Sequence, residues 1–271
     1  LAFEILANLA SNQKKKGRRS RTPPQRVREL AQKFHGTGGA LQASFINLCI
    51  GSLHGNEPPM DAGQICVEHA QVTDLPDGNT MATITPHAIN LLIMQWSTGN
   101  FSRKDWRAAQ ILRTEASRFS HRAFRERLTR DHVIIPRAKS DEEAQSIVDD
   151  LLHEPGLQPT LLRWLFESLR MSRAHARAAY ARWKALGSPI LPRYARYATH
   201  CLRVLLTLEV LVHSQRLGWK ASHGGDVRYL YHLPFCRVFM SSDKLHRRLV
   251  PLLKQPHQAF IWGPDLKSDL K

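Results

Sequence analysis

Helical rhythm dominates the pattern of apolar and polar positions. Val27 to Phe34 carries a helical repeat that Gly36-Thr37-Gly38-Gly39 interrupts, and Ala40 to Leu53 is apolar enough to predict a buried helix. Pro86 is placed to open another, carrying Ile89, Leu92, Ile93 and Trp96. From Ser102 to Asp131, Trp106, Ile111, Leu112, Phe119, Phe124 and Leu128 supply an apolar side, and Ser102-Arg103-Lys104-Asp105 reads as a capped start. Ser140 before Asp141-Glu142-Glu143 is an N-cap with an acidic first turn, which accounts for these carboxylates without catalysis. Leu202 to Leu217 is apolar on nearly every face and predicts a central helix ending at Gly218. The stretches from Gly55 to Asp61 and from Asp74 to Thr85 read as irregular, the latter through Pro76-Asp77-Gly78-Asn79. No internal repeat is visible.

Near the end the rhythm changes. Gly224 and Gly225 release a short helix with Asp226 at or near its N-terminus, Tyr229, Leu230 and Leu233 at helical spacing, and Pro234 as its stop. Cys236 to Met240 is short, apolar and β-favouring, and reads as a buried strand that delivers Ser241-Ser242-Asp243 to the end of a sheet. Leu245, Leu249, Val250 and Leu253 restore a helical period, and Gln258 to Trp262 offers a second strand before Gly263-Pro264. This is the helix–strand–helix–strand order of an α/β sheet. Ligands of such sheets bind where strands end and helices begin, so Asp226 and Asp243 are placed to face one crevice. Two carboxylates there suit a hard cation such as Mg²⁺ or Mn²⁺, which takes oxygen ligands and keeps several waters. The competing reading makes each Asp a helix cap.

Charge narrows the partners. Among 271 residues, 39 Lys and Arg oppose 23 Asp and Glu, a formal charge of +16, which points to a polyanion, with nucleic acid first. From Ser11 to Arg28 the chain reads as a basic linker, in which Lys14, Lys15, Lys16, Arg18 and Arg19 are candidate phosphate contacts. Two basic helical stretches follow, Ser102 to Asp131 and Pro159 to Arg203. In the second, Trp164, Tyr180, Trp183, Tyr194 and Tyr197 are interleaved with arginines, a pairing suited to single-stranded or structured RNA. The same spacing also suits aromatics that fill a core. No apolar run reaches membrane-spanning length and no signal peptide opens the chain, so a cytoplasmic location without a membrane partner is expected. Cys49, Cys66, Cys201 and Cys236 are far apart in sequence, and no histidine spacing matches a zinc site.

The pattern Asp226, then Ser241-Ser242-Asp243-Lys244, resembles the C-terminal half of a PIN-like domain, in which an Asp opens a helix and the next strand ends in Ser/Thr-x-Asp before a basic helix. The wording Tyr229-Leu230-Tyr231-His232-Leu233-Pro234-Phe235-Cys236 is similar to that of a bacterial PIN-like group. The resemblance covers the last fifty or so residues well and the first dozen loosely, with Glu4 at the family's Glu position. It implies an α/β fold with a three-layer core and a parallel sheet, built from residues 1–35 and 205–271, with 36–204 as a mainly helical, basic insertion. It also implies a Mg²⁺- or Mn²⁺-dependent ribonuclease. Glu4, Asp226 and Asp243 would hold the ion, Ser241 would orient Asp243 or a water, and Lys244, His246 and Arg247 would contact phosphate. The strand bearing the family's first Asp has no counterpart here, which implies either a segment ahead of Leu1 or a departure from the pattern. Two other classes stay open: a catalytically inactive nucleic-acid-binding module, and a basic interaction subunit with a protein partner in a toxin–antitoxin or defence complex.

Overall fold

The computed structural model describes residues 9, 22–32, 45–60, 70–74, 80–84, 88–118, 121–169, 171–220 and 223–269. They form a mixed α/β structure in which helices dominate, and the chain divides into two compact units.

The first unit comprises 1–43 and 66–118. Helix α1 (Pro23–Gln32) starts earlier than the basic linker reading allowed. Thr22 and Gln25 explain the start, because the Thr22 amide donates to Gln25 Oε1 at 2.8 Å while the Gln25 amide donates back to Thr22 Oγ1 at 3.4 Å. This reciprocal box satisfies two amides that a helix start leaves open, and Pro23 has no amide to satisfy. Helix α2 (Phe45–Leu53) belongs to the second unit. Strands β1 (Ala70–Asp74) and β2 (Thr80–Ile84) pair antiparallel, Val72 opposite Ala82, and β2 falls inside the region from Asp74 to Thr85 that was expected to be irregular. Asp77-Gly78 between Val72-Thr73 and Thr83-Ile84 is the hairpin signal that the prolines and glycines of this region obscured. Helices α3 (Ala88–Ser97) and α4 (Arg103–Arg118) complete the unit, and Val27, Ala31, Ile93, Trp96 and Ala109 bury together. The capped start of α4 is present. The Asp105 amide donates to Ser102 Oγ, and buried Asp105 accepts from the Ser102 amide at 2.7 Å and from Trp96 Nε1 at 3.2 Å.

The second unit comprises 44–65 and 119–271. It contains α2, α5 (His121–Arg130), α6 (Asp141–His153), α7 (Gln158–Ser168), α8 (Arg173–Ala185), α9 (Leu191–Tyr194) and α10 (Arg196–His213). After these come α11 (His223–Leu230), β3 (Val238–Ser241), α12 (Lys244–Leu253), β4 (Ala259–Trp262) and α13 (Gly263–Asp269). Ser140 caps α6 as expected, its Oγ accepting from the Glu143 amide at 3.1 Å. Helix α10 is the expected central helix and packs on α2, α6 and α12. One continuous core therefore joins residues on both sides of position 204, which itself lies inside α10. Trp164, Trp183, Tyr194 and Tyr197 are buried in that core, and of the five interleaved aromatics Tyr180 alone is exposed. Base stacking by the other four is thereby corrected: helical spacing turned them inward, where a large aromatic gains most.

Among the described residues the parallel sheet has two strands, β3 against β4 with Ser241 opposite Trp262. The strand expected to be buried is covered on one face: Val238 and Met240 are half exposed, and Phe239 between them packs on the core. Among the described residues no helix is long and apolar enough to cross a membrane.

Candidate functional site

The end of β3 and the starts of α11 and α12 meet at one corner of the second unit. Asp243 is the N-cap of α12, Oδ1 accepting from the Leu245 amide at 2.7 Å. The Asp243 amide in turn donates to Ser241 Oγ at 3.0 Å. Ser241 Oγ lies 2.8 Å from His246 Nδ1, and His246 Nε2 lies 2.8 Å from the backbone carbonyl of Asp226. That carbonyl can only accept, so Nε2 carries a proton, and Nδ1 shares a hydrogen bond with the Ser241 hydroxyl, which can donate to it or accept from it. Phe239 and Tyr229 meet the ring edge-on at 5.3 and 5.8 Å. The chain Asp226 carbonyl, His246, Ser241, Asp243 amide thus staples the first turn of α11 to the β3–α12 corner.

His246 was expected to contact phosphate. It is 5% exposed with both ring nitrogens engaged, and this corrects the expectation. Position 246 falls on the same face of α12 as Leu249, Val250 and Leu253, all buried, which explains its direction. Lys244 and Arg247 are exposed, and the Arg247 guanidinium sits 5.0 Å above the ring of Trp262.

Asp226 lies in the first turn of α11, near its N-terminus as expected but not at its cap. Burial raises its carboxyl above the usual range, and the neighbouring charge of Asp243 raises it further, while His246 and His223 oppose both. Burial lowers the His223 imidazole, against the pull of Asp226 and Asp243. The carboxylates of Asp226 and Asp243 thus repel each other at this corner, and His223 is near enough to feel both charges. Among the described residues, no three His, Cys, Asp or Glu side chains come together as a metal-holding group. Glu4 and the linker residues Lys14, Lys15, Lys16, Arg18 and Arg19 lie outside the described residues.

No family model, curated protein or solved structure matches the chain. The corner is therefore judged on its own chemistry. As a donor set for Mg²⁺ or Mn²⁺ it offers hard oxygens in a partly desolvated place where a cation would relieve like-charge repulsion, which fits such an ion with water completing its shell.

Two features escaped the sequence reading. Cys49 of α2 and Cys201 of α10 are buried side by side, and burial raises the Cys201 thiol well above its ordinary range, with Cys49 adding to it. Their separation in sequence hid the pair. Glu209, four residues from the end of α10, is 2% exposed and pairs with Arg125 Nε at 3.2 Å. One acid among the apolar residues from 202 to 212 was the available signal.

Proposed function

We propose that the second unit is a PIN-like, divalent-cation-dependent ribonuclease core, with Asp226 and Asp243 as cation ligands. The single observation that carries this reading is the convergence of the two carboxylates, seventeen positions apart, at the end of a parallel strand. Asp243 is oriented by its Oδ1 bond to the Leu245 amide, and Ser241 steadies the corner through the Asp243 amide. Exposed Lys244 and Arg247, on the first turn of α12, supply cations for the phosphates flanking the scissile bond. A bound Mg²⁺ or Mn²⁺ supplies Lewis acidity toward the scissile phosphate and the attacking water. The formal charge of +16 supports a polyanionic substrate held mainly through its backbone.

The test is cleavage of a mixed-sequence single-stranded RNA by the full chain with Mn²⁺, beside Asp226→Asn and Asp243→Asn. Asn is as good an N-cap as Asp, so Asp243→Asn spares the helix start. Both variants are expected to lose cleavage and keep RNA affinity. Cleavage unchanged in Asp243→Asn overturns the assignment. Metal-independent RNA binding without cleavage favours the binding-module reading, which the self-contained hydrogen bonding of Ser241, His246 and Asp243 also supports.

A further inference from the structure

Helix α8 is basic with no acid to balance it, for no Asp or Glu occurs between Glu167 and Glu209. Elsewhere in the second unit Arg127 and Arg130 lie against Glu167, Arg163 against Asp131, Arg203 against Asp149 and Arg248 against Asp141. Arg173, Arg177 and Lys184 of α8 are exposed, and among the described residues none of the three has an acidic partner. With Tyr180 they fall at i, i+4, i+7 and i+11, which sets all four on one ridge of the helix, about 16 Å long at 1.5 Å per residue. Ala174 and Ala181 are exposed beside it, so no bulky side chain screens that flank.

Local stability does not account for this ridge. Arg173 stands in the first turn, where the positive end of the helix dipole disfavours a cation, and Arg173 and Arg177 are like charges one turn apart. A polyanion relieves both. Tyr180 narrows which polyanion. Its ring is 40% exposed, whereas Trp183, Tyr194 and Tyr197 of the same stretch are buried. The buried Trp183 ring supports it at 5.5 Å, and Lys184 Nζ lies 5.9 Å from its centroid. A supported, open ring thus stands between cations along one line. An acidic protein surface offers carboxylates to the cations but no flat partner to the ring, and a duplex keeps its base faces stacked inside. An unpaired strand offers both phosphates and an open base face between them.

We propose that this ridge of α8 is a binding surface for single-stranded RNA, with Arg173, Arg177 and Lys184 on its phosphates and one base stacked on Tyr180. The inference rests on the ribonuclease reading for the choice of RNA, and it adds the surface that holds the strand. Binding there is tolerant of sequence, because every base has a face to stack and every linkage a phosphate.

The experiment is fluorescence anisotropy of a labelled, mixed-sequence decaribonucleotide, and of its duplex with the complementary strand, titrated with the full chain in EDTA between about 50 and 200 mM KCl. Tyr180→Ala is expected to weaken single-strand binding about fivefold or more and duplex binding by less than about twofold, and Tyr180→Phe to keep wild-type affinity. Arg173→Gln, Arg177→Gln and Lys184→Gln combined are expected to cost about tenfold or more and to reduce the slope of log affinity on log salt by about 2, at roughly 0.7 per phosphate contact. Should Tyr180→Ala not fold by circular dichroism, Ala181→Glu, which sets a carboxylate at an exposed position beside the ridge, is expected to weaken single-strand binding as much. No single-strand binding by wild type, affinity untouched by these variants, equal losses on single strand and duplex in Tyr180→Ala, or displacement of the RNA by polyglutamate at equal charge overturns the proposal. Cleavage with Mn²⁺ is read apart from binding. A strand held through α8 but left uncut supports this surface while sinking the nuclease reading, whereas cleavage with unchanged affinity in the α8 variants overturns this surface and leaves that reading standing.

Discussion

Replacing His246 by Phe tests the corner most directly. The substitution keeps a flat ring against Phe239 and Tyr229 but removes both ring nitrogens, so the Asp226 carbonyl loses the Nε2–H donor and the Ser241 hydroxyl its Nδ1 partner. A buried polar group left without a partner costs about 1–3 kcal/mol. Ser241 is half-buried and keeps its bond from the Asp243 amide, which puts its share near the low end, about 1 kcal/mol. The carbonyl inside α11 adds about 1–2 kcal/mol, for a total of about 2–3 kcal/mol. In a unit of this size that lowers the thermal midpoint by roughly 4–12 °C. The assay is thermal and urea unfolding of wild type, Ser241→Ala, His246→Phe and the double variant, followed by circular dichroism. A coupling of about 0.5–1.5 kcal/mol between the two positions is expected from one shared hydrogen bond. Strictly additive effects, or a His246→Phe variant within about 0.5 kcal/mol of wild type, would refute the staple.

Burial and Asp243 raise the Asp226 carboxyl, so the folded state binds its proton more tightly than the unfolded state and stability falls as pH rises through the folded value. Asp226→Asn should therefore raise the melting temperature at pH 7 without divalent cation and abolish any increment from Mn²⁺; a lower midpoint contradicts the repulsion. His200, part-buried with Nε2 on the Leu230 carbonyl, is lowered to about 4 from 6.5, chiefly by burial. The unfolded state then binds more protons, so stability is fully present above pH 6.5 and is lost as pH falls through 4, by at most about 3 kcal/mol before solvent screening. His200→Gln should flatten that acid limb in urea titrations at pH 7 and 4.5, and an unchanged limb counts against it. A Cβ at Gly263 would run into Ser242, whose own Cβ lies 3.3 Å away, so Gly263→Ala should cost about 1–3 kcal/mol and Ser242→Gly should recover part of it. Ser140→Ala should cost about 1 kcal/mol through the lost cap on α6, read from the urea midpoint; no change would show that the Glu143 amide finds water equally well.

Short-range chemistry was legible in the sequence. The caps at Ser102–Asp105 and Ser140–Glu143, the helix over the apolar run after 202, and the strand–corner–helix ending in Ser241-Ser242-Asp243 are all present, because each is decided by groups within four residues of one another. What no local pattern carries is which face meets which neighbour. An interleaved aromatic and arginine stretch looks the same whether its rings face RNA or a core, and four of its five rings were claimed by the packing around α10. His246 reads as a surface histidine until α12 is laid against α11, where the Asp226 carbonyl, twenty positions earlier, accepts a hydrogen bond from its Nε2–H. Exposure of Val238 and Met240, the Cys49–Cys201 pair, the Arg125–Glu209 pair and the meeting of Asp226 with Asp243 likewise depend on long-range contacts. The sequence determined the caps, the central helix, the strand–corner–helix and the charge, but not the β1–β2 hairpin or the start of α1; tertiary structure alone decided which side chains those elements bury, pair or leave open.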